Sequence, residues 1–287
     1  MSLLSPNLQA FVSIVHHQTV HGAAGELGIT QTGVTQRIRA LESELSTTLF
    51  IRSRRGMKLT TEGQALFRYC QAAKDLEGPA LAQIIGGAKT TEVRTILCGP
   101  TSIMSSRVVP QCAPLTKTFK NLIFTFQLND LDSRIEDLRS GAVHLAIVSP
   151  SQVAREMDSK MLKPEKYLMV GSPKWKGRRF QDIIKTELLI DFDPTDTTSM
   201  QYLKNFDLAE HIRSERHFAN NNSVLVDLFA NGYGYGVLTM DVAKPYLENG
   251  ELMALNSGAV FENPLALAWY PRHQMPEYFQ AIVRAIK

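Results

Sequence analysis

The chain has 287 residues, of which 44% are hydrophobic, 21% charged and 8% aromatic, and its formal net charge is +3. That length exceeds an average domain of about 100–200 residues, and that balance excludes a disordered, collagenous or disulfide-stapled chain. No run of about 18 uncharged apolar residues is present, so no membrane-spanning helix is expected. The start, Met1-Ser-Leu-Leu-Ser-Pro-Asn, lacks the basic flank and apolar core of a secretory signal. Cys70, Cys98 and Cys112 form no CxxC or Cys/His cluster. They fit a reducing, cytoplasmic setting with no structural metal and no cofactor.

Charge is unevenly placed. Residues 1–92 carry 9 Lys+Arg against 7 Asp+Glu, and residues 93–287 carry 22 against 21. Within the first part, segment 30–61 holds Arg37, Arg39, Arg52, Arg54, Arg55 and Lys58 against Glu42 and Glu44. A local cationic patch on a nearly neutral chain points to a polyanion partner at one end.

In chain order, Leu8, Phe11, Val12 and Val15 fall at helical spacing, so a first helix buries one stripe. Ala23, Ala24 and Leu27 continue with small residues that let helices approach closely, and Gly28-Ile29 breaks the pattern. Thr30 is a good N-cap for a second amphipathic helix. There Val34, Ile38, Leu41 and Leu45 mark the core face, while Gln31, Thr32, Thr35, Gln36 and Arg39 mark the opposite one. This is a helix-turn-helix arrangement. Gln suits adenine, Arg suits guanine, and Thr suits either base edges or the thymine methyl. After Leu49-Phe50, the stretch from Ile51 to Thr60 reads as a basic β-wing bearing Arg52, Arg54, Arg55 and Lys58 around Gly56. Such a wing tracks phosphates or enters a minor groove.

These residues resemble the LysR-type transcriptional regulators. The resemblance rests on Phe11 and Val15, Ala23-Ala24-x-x-Leu27, Ile29-Thr30-Gln31, Val34-Thr35-x-x-Ile38, Leu41-Glu42, Leu45, Leu49-Phe50-x-Arg52 and Leu59-Thr60-x-x-Gly63. Gly22 and Gly33 depart from the family pattern, and a helix-interior Gly costs about 1 kcal/mol relative to Ala. The resemblance implies a winged helix-turn-helix DNA-binding domain over residues 1–60 and a linker or dimerisation helix over 61–91. An effector-binding regulatory domain over 92–287 follows. It also implies a homodimer or homotetramer on promoter DNA and contact with RNA polymerase; with no Gly-x-Ser-x-Gly, Cys/His pair or paired catalytic carboxylates standing out, no enzymatic activity is expected. Thr30, Gln31, Thr32, Thr35, Gln36, Arg37, Arg39, Arg52, Arg54 and Arg55 are its DNA-binding candidates.

From Glu62 to Ile85 the pattern is helical, with Leu66, Tyr69, Ala73 and Leu76 on one stripe. Gly78-Pro79 predicts a break near Glu77, because an interior proline costs a helix roughly 3 kcal/mol. Gly86-Gly87-Ala88-Lys89 then reads as a hinge. Beyond Val93 strands alternate with helices: strands near 94–99, 123–128 and 142–148, and helices near 105–118 and 133–140. A second unit begins at Leu188 and includes a helix at 223–231 and a strand at 236–239. That alternation implies a parallel α/β sheet in two halves. In the family the corresponding domain is similar to periplasmic binding proteins, with two subdomains.

Ligands in such sheets lie at the carboxyl ends of the strands. The candidates there are Thr101, Ser102, Asn129, Asp130 and Ser149 in the first half, with Asp191, Asp193, Asp196, Asn222 and Ser223 in the second. Hydroxyls and amides on one side with carboxylates on the other suit a zwitterion bearing an extra cation, such as lysine or arginine. The same Ser, Thr and Asn groups also serve as plain helix caps, and the aspartates as a solvated loop. Leu138-Arg-Ser-Gly, Ile190-Asp-Phe-Asp, Lys204-Asn-Phe-Asp-Leu and Asn249-Gly-Glu-Leu, with Val34-Thr-Gln-Arg-Ile, resemble the arginine/lysine-export regulators within the family. The alternatives are a family member answering to a non-amino-acid effector, an exported solute-binding protein, and an α/β enzyme.

Other motifs carry less. Gly232-Tyr-Gly-Tyr-Gly precedes a strand and lacks phosphate-loop spacing, which leaves close packing as its reading. His16, His17 and His21 lack metal-ligand company. Asp191, Asp193 and Asp196 lack the Gly and Glu of a calcium loop.

Overall fold

The computed structural model describes residues 3–53, 56–85, 92–130, 133–272 and 275–287. Three helices open the chain: α1 (Pro6–His17), α2 (Val20–Leu27) and α3 (Gln31–Glu44). Each starts where a hydroxyl satisfies an orphan amide. Ser5 accepts from the Leu8 N–H, Thr19 from that of Gly22, and Thr30 from that of Gly33, as N-cap chemistry requires. Ala10, Phe11, Ile14, Ala23 and Val34 are wholly buried between them, and Phe11 packs on Phe50 with ring centroids 5.2 Å apart. Gly22 departs from the family pattern for a visible reason. A Cβ there would lie 2.7 Å from the His17 Cβ, so α1 and α2 close up across it.

The wing is the antiparallel pair β1 (Phe50–Ser53) and β2 (Gly56–Leu59). It is anchored on the end of α1, since the Met57 N–H donates to the Gln18 carbonyl at 2.8 Å. Gly56 adopts φ +113°, and a Cβ on it would sit 2.5 Å from that carbonyl oxygen; only glycine fits both demands. α4 (Thr61–Ile85) follows. Near its start, Gly63 lies so close to the Leu49 carbonyl that a Cβ would come within 2.3 Å of the oxygen.

Two expectations for α4 are corrected. The helix runs on through Gly78-Pro79 to Ile85 without the expected break near Glu77. The buried face also differs: Phe67 and Cys70 enter the N-terminal core with Leu66 and Ala73 at its edge, while Tyr69 and Leu76 are 60% and 52% exposed. The expected hinge at Gly86–Lys89 lies outside the described residues.

The remaining domain is built on one mixed sheet. β3 (Val93–Gly99) is followed by helical residues 101–112, then β4 (Leu122–Leu128), α5 (Arg134–Ser140) and β5 (Leu145–Val148). β6 (Asp158–Gly171) leads to α6 (Phe180–Thr186), β7 (Leu189–Asp191), α7 (Thr198–Asn205) and β8 (Arg216–Phe218). Then come α8 (Asn222–Asn231), β9 (Gly236–Thr239), α9 (Met240–Glu248), β10 (Met253–Ala254), β11 (Val260–Trp269) and α10 (Glu277–Ala285). The sheet order is β10-β6-β11-β5-β3-β4, with β9 also on β6, and β7 and β8 pair separately.

β3, β4 and β5 are parallel as expected, but β6 and β11 are antiparallel to each other and to their neighbours, so the sheet is mixed. These two strands are the crossings between lobes. Their ends lie in different cores: Leu265 and Leu267 pack with Leu97, Leu145 and Phe279, whereas Leu168 packs with Ile190, Leu225 and Phe229. At the crossing the ladder slips. Asn263 faces Glu165, yet Leu265 faces Leu162, leaving Lys163 and Pro164 bulged opposite Pro264. Proline lacks the amide that a ladder needs, so a bulge forms where it stands. The Gly232–Gly236 run serves packing. A Cβ on Gly234 would lie 2.5 Å from the Leu188 carbonyl, and one on Gly236 2.5 Å from that of Ile190.

α4 rests on the end of α5. Gln64 donates to Glu136 at 3.0 Å, Gln71 to the Gly141 carbonyl at 2.6 Å and Arg68 to the Arg139 carbonyl, while the Arg68 guanidinium lies 4.1 Å from the centre of the Tyr270 ring.

Candidate nucleic-acid interface and effector cleft

The outer face of α3 follows from its period. With Val34, Ile38 and Leu41 buried, Gln31, Thr32, Gln36 and Arg39 are exposed and Thr35 and Arg37 half-buried. The candidates divide by what they already hold. Thr30 is committed to the cap, Thr35 donates to the Gln31 carbonyl at 2.9 Å, and the Gln31 amide meets His21 Nδ1 at 3.2 Å. Thr32, Gln36 and Arg39 form a stripe one turn apart with no side-chain hydrogen bond or ion pair among the described residues. Unspent donors and acceptors on an exposed helix face are what base-edge reading requires. Gly33 keeps the cap uncrowded, because a Cβ there would press to 3.3 Å from the Thr30 hydroxyl. Arg52 lies on β1 opposite Met57. Arg54 and Arg55 lie outside the described residues.

Between the two lobes of the effector domain lies a cleft of about 350 Å³. Of the predicted residues, Ser102, Asp130, Ser149, Asp193 and Asn222 line it, as does Asp196. The other four are placed elsewhere. Thr101 is spent on Asp130, giving its N–H at 2.8 Å and its hydroxyl at 2.6 Å. Asn129 turns to the Ser133 hydroxyl at 2.7 Å. Asp191 is 2% exposed and bonded to Arg216 at 2.8 Å, with burial pushing its carboxyl up. Ser223 is exposed on the first turn of α8, its N–H bound by the true cap, Asn221.

The cleft also holds residues that spacing did not reveal, among them Arg134, Glu165, Tyr167 and Asn263. Glu165 is 2% exposed and accepts from the Ser102 hydroxyl at 2.5 Å and the Tyr167 hydroxyl at 2.6 Å. Burial raises its carboxyl above the usual range, against the pull of those two hydrogen bonds. In sequence it stands in Lys163-Pro-Glu-Lys, which reads as a solvated turn. Arg134 donates to the Asn129 carbonyl at 2.6 Å, and its Nε is buried with no hydrogen-bond partner among the described residues. Asp193 and Asp196 each close a turn, accepting the N–H and hydroxyl of Thr195 and Thr198. The Thr195 hydroxyl holds the Asp193 carboxyl below its ordinary value. Among the described residues the cleft therefore sets one guanidinium among four carboxylates.

All three cysteines are buried, which pushes the thiols of Cys70 and Cys98 up to about 11 and that of Cys112 to about 12. Thiols held protonated in this way are poor nucleophiles. Among the described residues no helix is long and apolar enough to cross a membrane, and no cluster of His, Cys, Asp and Glu is arranged to hold a metal.

Comparison with known proteins agrees with this geometry. Residues 6–64 match the family described as the bacterial regulatory helix-turn-helix protein, lysR family, and residues 94–287 match the LysR substrate binding domain. The HTH-type transcriptional activator TtdR of Escherichia coli strain K12 is 26% identical over 277 residues, covering 91% of this chain and 88% of that protein. The regulator CzcR of Bacillus subtilis is 29% identical over 186 residues, 64% of this chain and 62% of its own. Among solved structures, ArgP from Mycobacterium tuberculosis superposes with a TM-score of 0.81 at 21% identity, covering 99% of this chain and 96% of that one. Full-length LysG from Corynebacterium glutamicum with bound effector Arg gives 0.74 at 19% identity, with the same coverage. The matches to both family models, over an N-terminal helix-turn-helix and a two-lobed C-terminal domain, place this chain in the LysR family: it is a LysR-type transcriptional regulator with an effector-binding domain.

Proposed function

We propose that this regulator responds to a cationic amino acid, lysine or arginine, and controls a gene for its export. The observation that carries this reading is the charge of the cleft: Asp130, Glu165, Asp193 and Asp196 against Arg134. Such a wall favours a ligand with net positive charge and leaves Arg134 for a carboxylate. The arginine bound as effector to LysG supports the same class of ligand.

In this reading residues 1–60 bind promoter DNA, 61–91 dimerise and 92–287 bind the effector. Tyr69 and Leu76, exposed one above the other on α4, supply an apolar stripe for a second copy, giving a homodimer or homotetramer. Paired α3 helices then meet half-sites about one helical turn apart. Thr32, Gln36 and Arg39 read base edges, and Arg37, Arg52, Arg54 and Arg55 meet phosphates. The protein acts in the cytoplasm on RNA polymerase access and turns over no substrate. Effector binding favours one lobe arrangement and so one disposition of the DNA-binding modules.

Thermal shift of the full-length protein with lysine, arginine, histidine and a set of dicarboxylates tests this reading. At 100 times its dissociation constant a ligand adds about 2.7 kcal/mol to the domain that binds it. A dose-dependent rise with lysine or arginine, weakened in Asp193→Asn, is the expected result. A rise with a dicarboxylate alone overturns the effector class and leaves the family assignment intact.

A further inference from the structure

We propose that Glu165 is the residue that selects the effector's charge: its carboxylate takes an ammonium or guanidinium group between the two lobes, next to the hydroxyls of Ser102 and Tyr167. This rests on the reading of the cleft as a site for a cationic ligand, and it names the group within that cleft which does the discriminating.

Position comes first. Glu165 is the last residue of β6 in register with β11 before the ladder slips, so its side chain stands where the chain crosses from one lobe to the other. Ser102 reaches it from the helical turn after β3, and Tyr167 from further along β6. A ligand group seated on Glu165 therefore touches a hydroxyl from each side of the crossing.

Electrostatics comes second. A buried carboxylate normally has a cation beside it, because losing water costs far more than neutral hydrogen bonds restore. Among the described residues Glu165 has no Lys, Arg or His within ion-pair distance. Arg107 is close enough to pull on its titration, but the guanidinium is engaged elsewhere. It donates to the Lys163 carbonyl at 2.8 Å and the Pro164 carbonyl at 3.3 Å, and lies 3.7 Å from Asp241. A carboxylate offers about four acceptor directions, and two here are filled by hydroxyls that can rotate. Glu165 lines the cleft, so the remaining capacity is open to a cationic group of a ligand seated there.

The other acids are less suited to discrimination. Asp193 and Asp196 already accept two hydrogen bonds each from their own turns, and both are half-buried where Glu165 is 2% exposed. A charge near solvent is screened more strongly than one in the interior. A neutral ligand of the same shape thus loses little at Asp193 and much at Glu165.

The test is titration calorimetry of the full-length protein with arginine and with citrulline, its neutral isostere, followed by lysine, agmatine and putrescine. The wild type is expected to prefer arginine over citrulline by roughly 100-fold, the scale of a truncated buried charge pair. In Glu165→Gln that ratio falls to near one, while promoter binding in a band-shift assay persists as the check on folding. Glu165→Asp keeps the charge and is expected to keep the preference at lower affinity; it carries the test if the Gln variant does not fold. Arginine bound equally tightly by the wild type and Glu165→Gln, with the preference intact, overturns the role of Glu165 and leaves the cationic-effector reading standing. Binding of agmatine or putrescine alone, dependent on Glu165, overturns the amino-acid reading and supports the residue. No binding by any of the five overturns both.

Discussion

On α3 the residues that face outward, Thr32, Gln36 and Arg39, belong to one helix, and their neighbours Val34, Ile38 and Leu41 decide which way they point. In the cleft Ser102, Glu165 and Asn222 come from different elements and meet only because β6 and β11 cross between two lobes. A surface of the first kind tolerates change one residue at a time. A site of the second kind depends on the register of the strands that assemble it, so a slip of one residue would turn Glu165 to the other face of its strand.

This contrast is tested most severely in the small N-terminal core. Phe11→Ala removes a wholly buried ring packed on Phe50 and is expected to cost about 3–5 kcal/mol. Promoter binding should vanish while the ligand-induced thermal shift of the effector domain stays, because their hydrophobic clusters are separate. Loss of both would mean that the two regions fold as one unit.

The next largest effect belongs to the effector domain. His144 is half-buried, accepts from the Ile96 N–H at 3.0 Å, and is held down to about 4, chiefly by desolvation and then by Arg272. The folded value lies below the unfolded one of about 6.5. The unfolded chain therefore gains a proton first as pH falls, and stability is lost between pH 6.5 and 4, by about 3 kcal/mol. Denaturant melts across that window should show this slope in the wild type, and a shallower one in His144→Gln. Equal slopes would place the acid sensitivity elsewhere.

Smallest is the difference between reading and holding DNA. Gln36→Ala is expected to cost about 1–3 kcal/mol, confined to sites carrying one particular base pair. Arg52→Gln should weaken all sequences alike and lower the salt-dependence slope by about one. Binding isotherms on a set of single-substitution promoters separate the two. A uniform loss for Gln36→Ala would move that residue to the backbone.

Local chemistry accounts for much of what the sequence discloses. The helix starts at Ser5, Thr19 and Thr30, the α3 period, the wing around Gly56 and the strand at Gly236–Thr239 are all set within a few residues of chain. Capping, periodicity and positive φ are local demands, and the family resemblance is carried by the same residues. The cleft is half legible. Ser102, Asp130, Ser149, Asp193 and Asn222 follow from a rule about strand ends. Asp191 sits at a strand end as well, but Arg216 from β8 pairs with it and buries it. Glu165 is hidden by its charged neighbours and by Pro164.

Sequence alone determined the helix-turn-helix part, the helix starts and the α3 period, because capping and periodicity are demands within a few residues of chain. Tertiary structure decided the antiparallel crossings, the buried face of α4 and the burial of Glu165. Those depend on which distant strand or helix lies alongside, and burial and charge pairing are properties of that neighbour as much as of the residue.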